Sequence, residues 1–323
     1  MKPAKWTAVV LEHAPLGLFA GVLALFSLTA PNFLTLENLG NVGVQAAPAG
    51  IVAIGMTFVL LTAGVDLSVG AIMFVSAAVA GKLALSGHPF PMVMGTMLGI
   101  GAAGGALNAL FITRAKLAPF IVTLAFLFVG RGFALWLTNT RAMNLPEVYL
   151  ELGAYNLIGV PLPLAIFLGT ALATHVILRR TPFGKRIYAV GHGSEAARKA
   201  GINVPRVLTA VYIISGLCAA GSAVLALGQL GSVSPKFGEN YEFKAIAAAV
   251  LGGTSLLGGR GAVLPGTLLG VLLIQVVENG LVLLNADPYL YPLITSAIIF
   301  AAVLLDVARS RLKTKSNRRR IFV

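Results

Sequence analysis

Apolar positions in this chain gather into long runs. Runs near the length needed to cross a bilayer cover 15–31, 39–63, 67–86, 90–113, 118–138, 161–178, 206–228, 263–284 and 289–306. A hydrocarbon core about 30 Å thick takes about 20 helical residues, so each run predicts a spanning helix. A tenth stretch, 243–257, is shorter and ends in LGGTSLLGGRG. That many glycines predict a short or broken helix packed against protein. The expected fold is an all-α polytopic integral membrane protein of about ten transmembrane segments, including short or broken helices, in one transmembrane domain over 1–323.

One stretch departs from this pattern. Residues 191–207, GHGSEAARKAGINVPRV, crowd charged and helix-capping residues together. Ser194 is placed to cap a short helix, with Glu195 at its positive end. Gly201 is placed to close that helix in a left-handed conformation, and Pro205 to stop it. The stretch lies in the longest of the expected cytoplasmic loops, at about 179–206.

Charge assigns the sides. With the N-terminus inside, ten segments put most of the 24 Lys and Arg on the cytoplasmic side, among them Arg114, Lys116, Arg179 to Arg206, Arg260 and the tail from Arg309. This is the positive-inside pattern. It predicts a multi-pass protein of the cell (inner) membrane with both termini cytoplasmic. It also accounts for the net charge of +13. The NRRR tail is read as an orientation and lipid-surface signal, so no nucleic-acid partner is expected.

Composition agrees. Charged residues are 11% of the chain, against about 25% in soluble domains. The 37 glycines suit close helix packing in lipid. The single cysteine, Cys218, lies in an apolar run and gives no disulfide framework.

Enzymatic chemistry is not apparent. FGKRI and AGKLA hold Gly-Lys without the following Ser/Thr or the upstream glycine of a phosphate-binding loop. GIGAAG, Gly99 to Gly104, fits G-x-G-x-x-G but sits inside an apolar span, which points to helix packing. Four scattered histidines give no metal spacing, and no nucleophile–base arrangement is visible. No catalytic residue, metal or cofactor is expected. Ionisable residues in or near spans are Asp66, Lys82, Arg131, Glu278 and Asp306. Glu278, in QVVENGLVLL, is the most deeply placed acid, either a proton relay or a paired or cavity-facing acid near the outer end.

Four stretches, in order, resemble one family. GMTFVLLTAGVDLSVGAIMFVSAAVAG (55–81), KLAPFIVTLAFLFVGRG (116–132), TPFGKRIYAVGHGSEAARKAGINV (181–204) and AIAAAVLGGTSLLGGRGAVLPGTLLG (245–270) are similar to the membrane permease subunits of ribose/xylose/arabinose-type sugar ABC importers. ENGLVLL (278–284) departs from the resemblance, which leads to Asn-Asn-Gly at its start.

The resemblance implies a pore of two permease copies, identical or paired with a close relative. It implies a cytoplasmic ABC ATPase subunit beneath and a periplasmic or extracellular sugar-binding protein above. Ser194, Glu195, Ala196, Ala197, Arg198 and Gly201 would form the helix that couples to the ATPase. Ala197 would face the ATPase groove, and Arg198 and Lys199 would meet acidic groups on it. A neutral, hydroxyl-rich solute needs dispersed polar groups and aromatic faces, which makes Phe58, Asn108, Phe126, Gln275 and Asn279 the candidates for its path. Asp66, Ser68, Gly70, Gly252, Gly253, Gly258 and Gly259 would serve broken helices, with Asp66 capping a helix that starts at Leu67. The rival readings are an ion-coupled secondary transporter of a small polar solute and a scaffold without transport.

Overall fold

A computed structural model describes residues 4–298, 300, 301 and 304. The NRRR tail and Asp306 lie outside the described residues. The chain runs through α1 (Ala4–Thr29), α2 (Leu36–Leu61), α3 (Val69–Leu85), α4 (Phe90–Thr113) and α5 (Pro119–Thr138). Then follow β1 (Met143–Asn144), α6 (Val148–Ala154), β2 (Asn156–Leu157), β3 (Val160–Pro161) and α7 (Leu162–Arg180). Next come α8 (Pro182–His192), α9 (Ser194–Lys199) and α10 (Val204–Leu230). The last elements are β4 (Ser232–Val233), α11 (Tyr241–Leu251), a kinked stretch Val263–Thr267 and α12 (Leu268–Leu283).

This is a multi-pass helical membrane protein. Among the described residues, α2, α4, α5, α7, α10 and the continuous stretch Val263–Leu283 are long and apolar enough to cross a bilayer. One expected span is shorter than its apolar run, and the stretch expected to be short or broken is short. The run 67–86 yields α3, whose 17 residues reach about 26 Å, and the run 243–257 yields α11, whose 11 residues reach about 16 Å. Neither covers a core about 30 Å thick by itself. The expected span at 289–306 is described only in part, with 290–298 helical.

The two ends of the bundle differ. At one end β1 pairs antiparallel with β4, Met143 opposite Val233, while β2 and β3 form a hairpin. At the other end α8 and α9 pack beside the C-terminus of α2 and the glycine-rich segment 252–262.

α2 is the central helix, enclosed by α7, α10, α11 and α12. Its small residues let its neighbours approach: Phe167 of α7 sits over Gly50, and Cys218 of α10 over Gly55. Pro48 interrupts the helix ladder, because its ring nitrogen cannot donate to the carbonyl of Val44. That carbonyl is instead satisfied from α10, where Gln229 Nε2 donates to it at 2.7 Å. Ser222 Oγ donates to the carbonyl of Pro48 itself at 2.7 Å. GIGAAG lies wholly within α4, where Gly101 abuts the Gly216 backbone of α10.

The Val44–Gln229 bond gives a clean stability test. Gln229→Leu should destabilise the protein by about 1–3 kcal/mol, the usual consequence of an unpaired buried carbonyl. In a Pro48→Ala background the same change should cost less, because the restored backbone N–H pairs with Val44. Thermal unfolding of the four proteins in detergent measures this. Equal losses in both backgrounds would show that Gln229 acts through something other than the proline break.

Candidate functional site

The amphipathic stretch after α7 folds as two helices. Thr181 opens α8 by accepting the backbone N–H of Gly184 at 3.2 Å, with Pro182 in the first turn. Phe183, Ile187 and Val190, at helical spacing, turn inward onto the core. This helix was missed in the loop at 179–206, although Thr-Pro before an apolar face signals it.

α9 occupies the predicted coupling segment, with local corrections. Gly193 takes the N-cap position, and among the described residues the Ser194 side chain makes no capping hydrogen bond. The C-terminus closes as expected on Gly201, at φ +82°. Gly201 N–H donates to Arg198 O and Ile202 N–H to Ala197 O, both at 3.0 Å, which is the two-bond Schellman closure. Pro205 does not stop this helix. It lies in the first turn of α10, which Asn203 caps by accepting the N–H of Arg206 at 3.1 Å.

Ala197 is the main correction. It is 5% exposed and packs into the core, so it does not face outward. Glu195, Ala196, Arg198 and Lys199 form the exposed side. Glu195 and Lys199 pair at 3.4 Å one turn apart and are largely solvated, so their bond adds a few tenths of a kcal/mol at most.

This helix pair is tied to two interior elements. Tyr188 Oη donates to the carbonyl of Gly261 at 2.9 Å. Gly259 N–H donates to the carbonyl of Leu61 at the end of α2, also at 2.9 Å. Gly191 lies so close to both that a Cβ there would collide with Leu61 O and Gly259 N. Gly258 abuts Ala63, Gly259 abuts the His192 ring, and Gly252 packs on Gly266. Gly253 follows α11 at φ +92°. Thus α8, the end of α2 and the loop between α11 and α12 meet in one seam.

Between α2 and α3 lies a buried polar knot. Asp66 is fully buried and accepts from Ser68 N–H at 3.0 Å, from Ser68 Oγ, and from Ser215 Oγ of α10 at 2.7 Å. Asn108 of α4 donates to Ser68 Oγ at 2.7 Å. The expected cap is therefore shifted: α3 begins at Val69 rather than Leu67, and Asp66 braces the turn before it. Gly70 leaves room for the Glu242 carboxyl and the Gly238 carbonyl, which a Cβ would strike.

A cavity of about 190 Å³ opens between α2, α11 and α12. Its polar lining is Gln45, Tyr241, Lys244, Gln275 and Glu278. Lys244 Nζ and Glu278 Oε1 form an ion pair at 2.6 Å in its lining, and Gln275 Nε2 donates to Gln45 Oε1 at 3.0 Å. Glu278 is thus a paired carboxylate facing a cavity.

Of the five path candidates, only Gln275 lines this cavity. Phe58 is fully buried in the core of α2. Asn108 belongs to the Asp66 knot. Phe126 packs against Phe111, their ring centres 6.0 Å apart. Asn279 exchanges two amide bonds of 2.9 Å with Asn38. Lys244, Tyr241 and Gln45 escaped the sequence reading because no motif connects α2 with the start of α11.

Residues 38–305 match the family described as branched-chain amino acid transport system / permease component. Among curated proteins, the ribose import permease protein RbsC of Bacillus subtilis is 41% identical over 300 residues, covering 91% of this chain and 92% of that protein. The RbsC of Escherichia coli K12 is 35% identical, covering 93% and 94%. The D-allose transport system permease protein AlsC of Escherichia coli K12 is 33% identical, covering 94% of both. No solved structure matches the chain.

The inward placement of Ala197 and the outward placement of its neighbour separate folding from surface effects. Ala197→Arg should lower the amount of folded protein in the membrane severalfold, since it forces a charge into packed core. Ala196→Arg should leave that amount unchanged. Membrane abundance and size-exclusion profile of both variants decide it, and equal behaviour would contradict the packing of α9.

Proposed function

Because the chain belongs to the branched-chain amino acid transport system / permease component family, we propose that it is the transmembrane permease subunit of an ATP-driven importer for a monosaccharide. The curated relatives, at 41%, 35% and 33% identity across more than nine-tenths of the chain, are ribose and allose permeases, and this supports a sugar rather than an amino acid. The energy comes from a separate cytoplasmic ABC ATPase, and an extracytoplasmic sugar-binding protein delivers the solute. A second permease copy, identical or related, completes the pore.

The observation that carries this reading is the seam at the basic end. α8 and α9 lie at the end of the bundle, where α8 is hydrogen-bonded to the α11–α12 loop and lies in contact with the end of α2. A push on the exposed face of Glu195, Ala196 and Arg198 therefore reaches the interior helices as a rigid-body displacement. The full membrane topology we propose has both termini and α8–α9 cytoplasmic in the inner membrane, with the β1–β4 end outside. Glu278 stands 2.6 Å from Lys244 Nζ, so the cavity holds an ion pair rather than a lone acid.

Three measurements test the reading. Single cysteines in a Cys218→Ser background should react with an impermeant maleimide from outside at Ile158→Cys, which is 97% exposed, and only from inside at Ala196→Cys. Labelling of both from one face would overturn the topology. Sugar uptake should survive an uncoupler while ATP is maintained, and its collapse would favour an ion-coupled carrier. Gly201→Asp should distort the α9 closure, at about 1 kcal/mol for a side chain at positive φ. It should keep normal membrane levels while losing uptake and retention of the ATPase on purification. Full retention of both would remove α9 from the coupling surface.

A further inference from the structure

We propose that the cavity between α2, α11 and α12 is a transient docking site for an uncharged polyhydroxylated solute, and that the Lys244–Glu278 pair is its charge filter. The inference rests on the importer reading above and names a site within it. The cavity holds the volume of about six water molecules at roughly 30 Å³ each, which suits weak, passing contact with one small solute.

Its chemistry fits hydroxyl groups. Each hydroxyl donates one hydrogen bond and accepts others, so a polyol needs donors and acceptors side by side. The Gln275–Gln45 bond uses one amide nitrogen and one amide oxygen. Among the described residues, Gln45 Nε2 and Gln275 Oε1 make no other protein hydrogen bond, leaving one donor and one acceptor. The Lys244–Glu278 contact likewise leaves further ammonium hydrogens and carboxylate lone pairs to face the cavity. The phenol of Tyr241 serves in either sense. Val271 and Ile274 supply an apolar wall for the carbon skeleton.

The ion pair decides what is refused. At 2.6 Å each charge is already compensated, so the lining is rich in hydrogen-bonding groups but has no net charge. An anion would have to draw Lys244 away from Glu278, and a cation would have to do the reverse. Each would leave a partly buried charge without its partner. A neutral polyol docks without breaking the pair.

The test uses the whole transporter, with its ATPase and binding protein, in liposomes. The probes are radiolabelled ribose, allose, fructose and arabinose, with gluconate, glucosamine and leucine as competitors. Wild type should take up at least one of the sugars and ignore a hundredfold excess of any competitor at the permease step. Lys244→Gln and Glu278→Gln should each lower uptake about tenfold or more, since each leaves one charge exposed to the path. The double variant should recover to within about threefold of wild type, because neutrality is restored. Membrane level and retention of the ATPase are measured alongside. Should the single variants fold poorly, Gln275→Ala, which alters no charge, should still reduce uptake about tenfold. Undiminished uptake in the single variants or in Gln275→Ala overturns the proposal. So does a double variant as impaired as the worse single one, or competition by leucine in wild type. If wild type with bound ATPase moves none of the four sugars, the importer reading itself fails, a different result from any of these.

Discussion

Inside a bilayer a backbone amide or carbonyl has no water to fall back on, and a helix can be broken only where protein replaces the missing bond. This constraint organises the molecule. Pro48 frees the carbonyl of Val44, and Gln229 reaches across from α10 to take it. The chain leaves α2 and turns before α3, and Asp66 receives the freed Ser68 N–H while Ser215 and Asn108 complete the knot. At the third break, after α11, Thr267 Oγ1 lies 2.7 Å from Thr57 Oγ1 of α2. At each break a polar side chain of another helix takes part, so each is also a joint between helices.

The breaks also set which parts of the chain meet. α11 is too short to span and is followed by a loop rather than by another turn of helix, so the glycine-rich segment reaches the basic end as backbone. Backbone is what α8 grips there, through Tyr188 on Gly261 and the close pass of Gly191 over Leu61 and Gly259. The same α11 and α12 that hold this loop carry Lys244 and Glu278 at the cavity. The exposed helix pair and the cavity are therefore linked through one loop and the two helices that hold it.

Much of this was legible in the sequence, and the limits are physical. Spans such as 90–113 and 118–138 follow from apolar length alone, and the observed helices keep those bounds within a residue. The closure of α9 on Gly201 was legible because only glycine takes that backbone conformation freely. The inward turn of Ala197 was not, because alanine is neutral between a packed face and an exposed one. The role of Asp66 was legible as local bracing but not as a knot, since Ser215 lies 149 positions away. Glu278 stood out as a departure from the resembled pattern. Its partner Lys244 did not, because a lysine at a helix end reads as an ordinary interfacial charge until the fold sets it across from an acid.

The family's description names branched-chain amino acids, whereas the curated relatives at 33–41% identity carry sugars, and the cavity bears on the difference. An amino acid is a zwitterion with an apolar side chain. It would need a cation and an anion held apart, each awaiting its partner, and an apolar recess beyond them. The cavity has the opposite arrangement. Its two charges are spent on each other at 2.6 Å, and amides and a phenol, suited to hydroxyls, surround them. To seat a zwitterion the pair would have to separate, exchanging one good ion pair for two new ones with little net gain after desolvation. To seat a polyol nothing need separate. In this chain the proposed docking site therefore suits a neutral cargo better than a charged one.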